Sequence, residues 1–145
     1  MTYQFKNPSP AIIKSYLEDA HRIAIVGLSN RTETAAYMVA SYLQDHGYDI
    51  LPVNPKLAGE TILGATVYGS LSEVPGQVDI VDVFRRSEFL PAVAEEFLQT
   101  DAKIFWAQLG LESQEAEEIL RAAGRKDIVM NKCIKIEHRD LLEAH

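Results

Sequence analysis

Ile23-Ala24-Ile25-Val26 is an apolar, strand-forming run that ends in Gly27-Leu28-Ser29 and the polar stretch Asn30-Arg31-Thr32-Glu33-Thr34. A strand, a tight turn and a helix start, in that order, form an anion-binding βα unit. The first N–H groups of such a helix lack intrahelical partners and can hold a phosphate, which the helix dipole favours. An ordinary βα turn has the same pattern. Four further cations, Lys56, Arg85, Arg86 and Lys132, also follow apolar runs. Cys133, the only cysteine, stands beside Lys132, with His138 nearby. A lysine can lower a thiol pKa, which makes Cys133 a candidate nucleophile or a partner in a mixed disulfide. The alternative is a small, partly buried structural thiol.

Elements must position these groups. Ser9-Pro10 suits a helix start, with serine at the N-cap and proline in the first turn. Ile13, Tyr16, Leu17 and Ala20 then follow helical spacing. A strand over Ile23–Val26 comes next. Ala36, Val39, Ala40 and Leu43 mark a second helix that stops at Gly47. A strand over Asp49–Val53 runs into Asn54-Pro55-Lys56, and Pro52 within it belongs near the end of a sheet. Thr66–Tyr68 reads as a short strand.

Val78–Phe84 is a strand of β-branched and aromatic residues apart from Asp79 and Asp82. A carboxylate such as Asp82 inside an apolar strand needs a partner, and the backbone at the sheet's end is the expected one. Ser87 opens a helix carrying Phe89, Val93 and Phe97, with Pro91 in or near its first turn. Lys103–Ala107 is a strand ending in Gln108-Leu109-Gly110. Ser113 caps a helix with Ala116, Ile119, Leu120 and Ala123 as its buried stripe. Ile128–Met130 is the last strand, and Glu137–Glu143 a short closing helix.

Apolar strands alternating with helices give an α/β class. The expected architecture is a single doubly wound parallel sheet, Rossmann-like, with helices on both faces. Residues 1–145 suffice for one domain.

In such a sheet, ligands bind at the carboxyl ends of the strands, near the switch point. Arg31, Lys56, Arg85, Arg86 and Lys132 all collect on that rim. A rim with this charge suits a ligand carrying several phosphates. A dinucleotide site usually shows G-x-G-x-x-G and an acid after the second strand, for the ribose hydroxyls. Here only Gly27 is present, and Asn54-Pro55-Lys56 stands where the acid would be. A lysine there meets a phosphate better than a diol. Coenzyme A carries a 3′-phosphate on its adenosine, so the residues lean toward coenzyme A.

At this point the chain resembles the CoA-binding protein family, small single-domain relatives of the CoA-binding domain of succinyl-CoA synthetase α-subunits. Five runs carry the resemblance, which spans nearly all of Ile23–Glu137. They are Ile25-Val26-Gly27-Leu28-Ser29, Pro52-Val53-Asn54-Pro55-Lys56, Val78–Arg85, Trp106-Ala107-Gln108-Leu109-Gly110 and Val129-Met130-Asn131-Lys132-Cys133. The resemblance implies that coenzyme A or an acyl-CoA is bound. It implies that Gly27, Leu28, Ser29 and the following Asn30, Arg31, Thr34 and Tyr37 contact its phosphates. It implies that Lys56, which follows the candidates Asn54 and Pro55, lies by the adenosine phosphate end, and Phe84, Arg85, Gln108, Leu109 and Gly110 along the pantetheine. Arg86, Asn131 and Lys132 complete the candidate set on the same rim. Relatives tend to carry Arg-Pro-Ser-Tyr where this chain has Thr34-Ala35-Ala36-Tyr37, and Arg31 is the candidate to supply the lost charge.

Other functions find less support. The net charge of −7 argues against general nucleic-acid binding. No apolar run is long enough to cross a bilayer, and Met1–Lys6 lacks the pattern of a signal peptide. With a lone cysteine, a cytoplasmic setting is expected. The histidines, His21, His46, His138 and His145, form no recognisable acid–base arrangement, and no metal-ligand spacing is present. A non-catalytic CoA or acyl-CoA binding module is therefore the leading expectation. An NAD(P)- or nucleotide-binding sensor and a CoA-dependent thiol enzyme using Cys133 stay open.

Overall fold

The computed structural model describes residues 2–143, so Met1 and His145 from the reading above lie outside the described residues. Five strands form one sheet: β1 (Arg22–Val26), β2 (Asp49–Val53), β5 (Ile80–Val83), β6 (Ile104–Ala107) and β7 (Ile128–Val129). Their order is β2-β1-β5-β6-β7, and every pair is parallel. Helices α1 (Pro10–Asp19), α2 (Ala35–Asp45), α3 (Leu90–Leu98), α4 (Gln114–Ala122) and α5 (Ile134–His138) cover it. The expected doubly wound, Rossmann-like sheet is present.

Strand side chains alternate between the two faces. Ile23, Ile25, Ile80, Ile104 and Trp106 pack into one apolar layer with Ile13 and Leu17 of α1 and Val39 and Leu43 of α2. Ala24, Val26, Val81, Val83 and Phe105 pack into the other, with Leu90, Val93 and Phe97 of α3 and Leu120 of α4. Pro52 is tolerated because β2 is an edge strand, paired through β1 on one side.

Three elements differ from expectation. The stretch read as a strand over Thr66–Tyr68 is divided. Strand β4 (Ala65–Thr66) pairs antiparallel with β3 (Thr61–Ile62) in a small separate hairpin, while Tyr68 makes a single parallel bridge to Val53. Ser87 begins a 3-10 turn (Ser87–Phe89), and the α-helix starts at Leu90 with Pro91 in its first turn. The Ser87 hydroxyl accepts from Glu112 N (3.2 Å), so it serves the α4 loop and not its own helix. The closing helix begins at Ile134, and Arg139–Glu143 continues it as a π-helical turn. Ile134 N donates to Gln108 Oε1 (3.0 Å), a cap supplied from the end of β6.

Asp79 fixes the start of the sheet on the rim opposite the strand ends. Its Oδ2 accepts from His21 N (2.8 Å) and Arg22 N (2.9 Å). Partial burial pushes its pKa up, but these two donors and Lys103 outweigh burial and hold the carboxyl below its ordinary range.

Asp82 is the exception to the packing. It lies mid-sheet in register with Ile25 and Trp106, is fully buried, and neither oxygen has a hydrogen-bond partner. The expected backbone partner is absent. Burial pushes its pKa well above the ordinary carboxylate range, which favours the neutral acid in the fold.

Candidate cleft at the switch point

Strand order reverses between β1 and β5, because the chain moves outward to β2 before crossing back to β5. The crevice at the carboxyl ends of those two strands is the expected ligand position in an open parallel sheet. A cleft of about 280 Å³ opens there. It is lined by Gly27 after β1, by Asn54, Pro55 and Lys56 after β2, and by Arg85 after β5. Val26, Val53, Gly69, Ser70, Val93 and Glu96 complete its wall.

Local chemistry shapes this cleft. Gly27 has φ +91°, a conformation L side chains rarely adopt. Its N–H donates to Val53 O (2.9 Å), and Phe84 N donates to Val26 O (2.9 Å), so the turn is pinned to both neighbouring strands. Asn54 bridges two loops. Its Nδ2 donates to Leu28 O (3.0 Å), and its Oδ1 accepts from Lys56 N (2.9 Å) at the start of the short turn Pro55–Leu57. Lys56 is thereby held, exposed, at the edge of the cleft.

The rest of the candidate set is distributed along the same rim. Ser29 Oγ accepts from Arg31 N (3.0 Å), and Thr34 caps α2 by accepting from Tyr37 N (3.3 Å). Asn30 and Arg31 are exposed in this loop, and Tyr37 is half-buried against the α2 layer. Leu28 is buried in that layer, so only its main chain faces the loop. Phe84 is half-buried against the same layer. Gln108 is buried as the cap of α5. Leu109 and Gly110 are exposed at the tip after β6, where Gly110 N donates to Asn131 Oδ1 (2.7 Å). The Lys132 carbonyl accepts from Trp106 Nε1 (2.8 Å).

The five rim cations are not equivalent. Arg31 pairs with Glu33 (2.8 Å), Arg86 with Glu88 (3.5 Å) and Lys132 with Glu137 (4.0 Å). Lys56 and Arg85 have no ion-pair partner among the described residues. These two are the cations that line the cleft. Arg85 lies over the Phe89 ring, 4.3 Å from its centroid, which orients it without neutralising it. The Arg31 and Arg86 pairs lie on the surface, and such pairs contribute about 0–1 kcal/mol, so an anion can recruit those two cations at small cost.

Cys133 is a half-buried free thiol at the N-cap of α5 and does not line the cleft. His138, near it in sequence, bonds through Nδ1 to Tyr42 Oη (2.9 Å). Gly69, Ser70, Val93 and Glu96 were not in the candidate set. A signal existed for Val93 and Glu96: α3 follows β5, so its early turns must face the rim where β5 ends.

Comparisons with known proteins give the family and the fold. Residues 21–139 match the family described as CoA binding domain. The chain is 51% identical over 133 residues to the uncharacterized protein YneT of Bacillus subtilis, covering 92% of this chain and 96% of that protein. It is 31% identical over 114 residues to the acetate–CoA ligase (ADP-forming) I subunit alpha of Pyrococcus furiosus, covering 72% of this chain and 25% of that subunit. The solved structure of cell-free ID.343 from Thermus thermophilus superimposes with a TM-score of 0.89 at 33% identity, over 93% of this chain and 100% of that one. The chain belongs to the CoA binding domain family.

Proposed function

We propose that this chain binds coenzyme A or an acyl-CoA in the switch-point cleft, in a cytoplasmic setting and without catalysis of its own. The observation that carries the reading is that Lys56 and Arg85, neither with an ion-pair partner among the described residues, share one cleft with the Gly27 turn. Those groups suit phosphate oxygens: two charges for attraction and a pinned turn for close backbone approach. No carboxylate stands at the end of β2 to bind ribose hydroxyls, and Asn54-Pro55-Lys56 occupies that place. The cleft's 280 Å³ is below the roughly 300–1,000 Å³ of ordinary small-molecule sites. A ligand as long as an acyl-CoA would therefore extend out of it along the rim, toward Gly110 and Asn131. The half-buried Cys133 lies outside the cleft lining, which favours binding over thiol catalysis.

Calorimetric titration of the purified chain with CoA, and with NAD for comparison, at two salt concentrations tests this reading. Saturable CoA binding that weakens with salt, and little NAD binding, is the expected result. NAD binding in preference to CoA would overturn it.

A further inference from the structure

We propose that His46, His138 and Glu143 form a site for a divalent transition-metal ion of the zinc class, which clamps the end of helix α2 to the C-terminal segment. His46 is the C-cap of α2, His138 ends α5, and Glu143 ends the π-helical turn that follows it. One potential ligand atom from each lies within 4.8 Å of the other two. Among the described residues, this is the one group of three or more such side chains placed to hold an ion.

The hydrogen bonds around the two rings prepare them for coordination. His46 Nδ1 lies 2.7 Å from Tyr42 O. A carbonyl only accepts, so Nδ1 carries a proton and Nε2 is the nitrogen left to coordinate an ion. His46 Nε2 lies 3.3 Å from Glu143 Oε1. A nitrogen and a carboxylate oxygen this close share either a proton or a cation. Tyr42 also bonds His138 Nδ1 through its hydroxyl (2.9 Å), which leaves Nε2 as that ring's free nitrogen. Metal-bound histidines are usually held in this way, through the nitrogen that does not coordinate.

One edge of the group has the length zinc needs, and the other two need at most a small approach of His138. Bonds of about 2.0–2.2 Å in a tetrahedron place neighbouring ligand atoms about 3.3 Å apart. The His46–Glu143 edge already has that length. His138 is buried while His46 and Glu143 are at the surface, so an ion can enter from solvent. Two imidazoles and one carboxylate select zinc-like ions over magnesium or calcium, which prefer all-oxygen shells. The fourth position would be open to water.

The test is titration of the full, metal-stripped chain with Zn²⁺, read by calorimetry and by thermal midpoint. The expected result is one tight equivalent and a raised midpoint, with Mg²⁺ unable to compete. Because His138 is buried, the diagnostic variants are the surface changes His46→Gln and Glu143→Gln. Each should weaken Zn²⁺ binding at least tenfold and abolish the midpoint rise while the circular dichroism spectrum of the metal-free chain is unchanged. Absence of saturable Zn²⁺ binding, or binding that both variants leave intact, would overturn the proposal. Effective competition by Mg²⁺ would overturn the assigned class of ion.

Discussion

At the scale of single residues, Asp82 is the most informative group outside the cleft. Its sequence context required a partner, and the fold supplies none. A fully buried ionised carboxylate would cost several kcal/mol, so the protein keeps it protonated. In the unfolded chain the same group ionises near pH 4. Between that pH and its raised folded pKa, the folded state holds one more proton than the unfolded state. Stability from this group is therefore fully present below about pH 4 and is lost as pH rises, at about 1.4 kcal/mol per pH unit. Asp79 and His138 act in the opposite sense, since both have folded pKa values below their ordinary ones. For His138, burial is the main cause and the neighbouring His46 adds to it. The difference between variant and wild type isolates Asp82. Asp82→Asn is predicted to raise the thermal midpoint more at pH 8 than at pH 5, and an equal effect at both would show that the acid titrates normally. Gly27 was legible at this scale because an apolar run entering a glycine is a local signal. The triad of His46, His138 and Glu143 was not, because its members meet only through the docking of the C-terminal elements on α2.

At the scale of elements, local signals located most helices and strands, and long-range hydrogen bonds set the boundaries that were missed. Ser9, Thr34 and Ser113 each cap their own helix. Ser87 has the same side chain but bonds the loop before α4, so its helix begins later. Helix α5 begins early because Gln108, from the end of β6, accepts from its first N–H. No pattern within Ile134–His138 could announce that cap. Thr34 has a double role, because its hydroxyl also donates to Arg31 O (2.7 Å) and so shapes the loop between β1 and α2. Thr34→Ala should lower stability by about 1 kcal/mol, the usual loss for an N-cap threonine. A denaturant midpoint unchanged in this variant would mean that the cap contributes nothing.

At the scale of the whole molecule, the order β2-β1-β5-β6-β7 brings the ends of β1, β2 and β5 together. The alternation of apolar runs and helices made this sheet readable, and its switch point then dictates where a ligand can sit. The rim of cations was equally legible, but its effective charge was not. Glu33, Glu88 and Glu137 pair with three of the five, which leaves Lys56 and Arg85 as the cleft cations without an ion pair among the described residues. The most direct measurement is calorimetric titration of the wild type and of Lys56→Ala with CoA and with dephospho-CoA, which lacks the 3′-phosphate. The account predicts that the substitution weakens CoA binding by about tenfold, a loss of the size expected for one charged phosphate contact, and changes dephospho-CoA binding much less. Equal losses for the two ligands, or a wild type that binds neither, would contradict it.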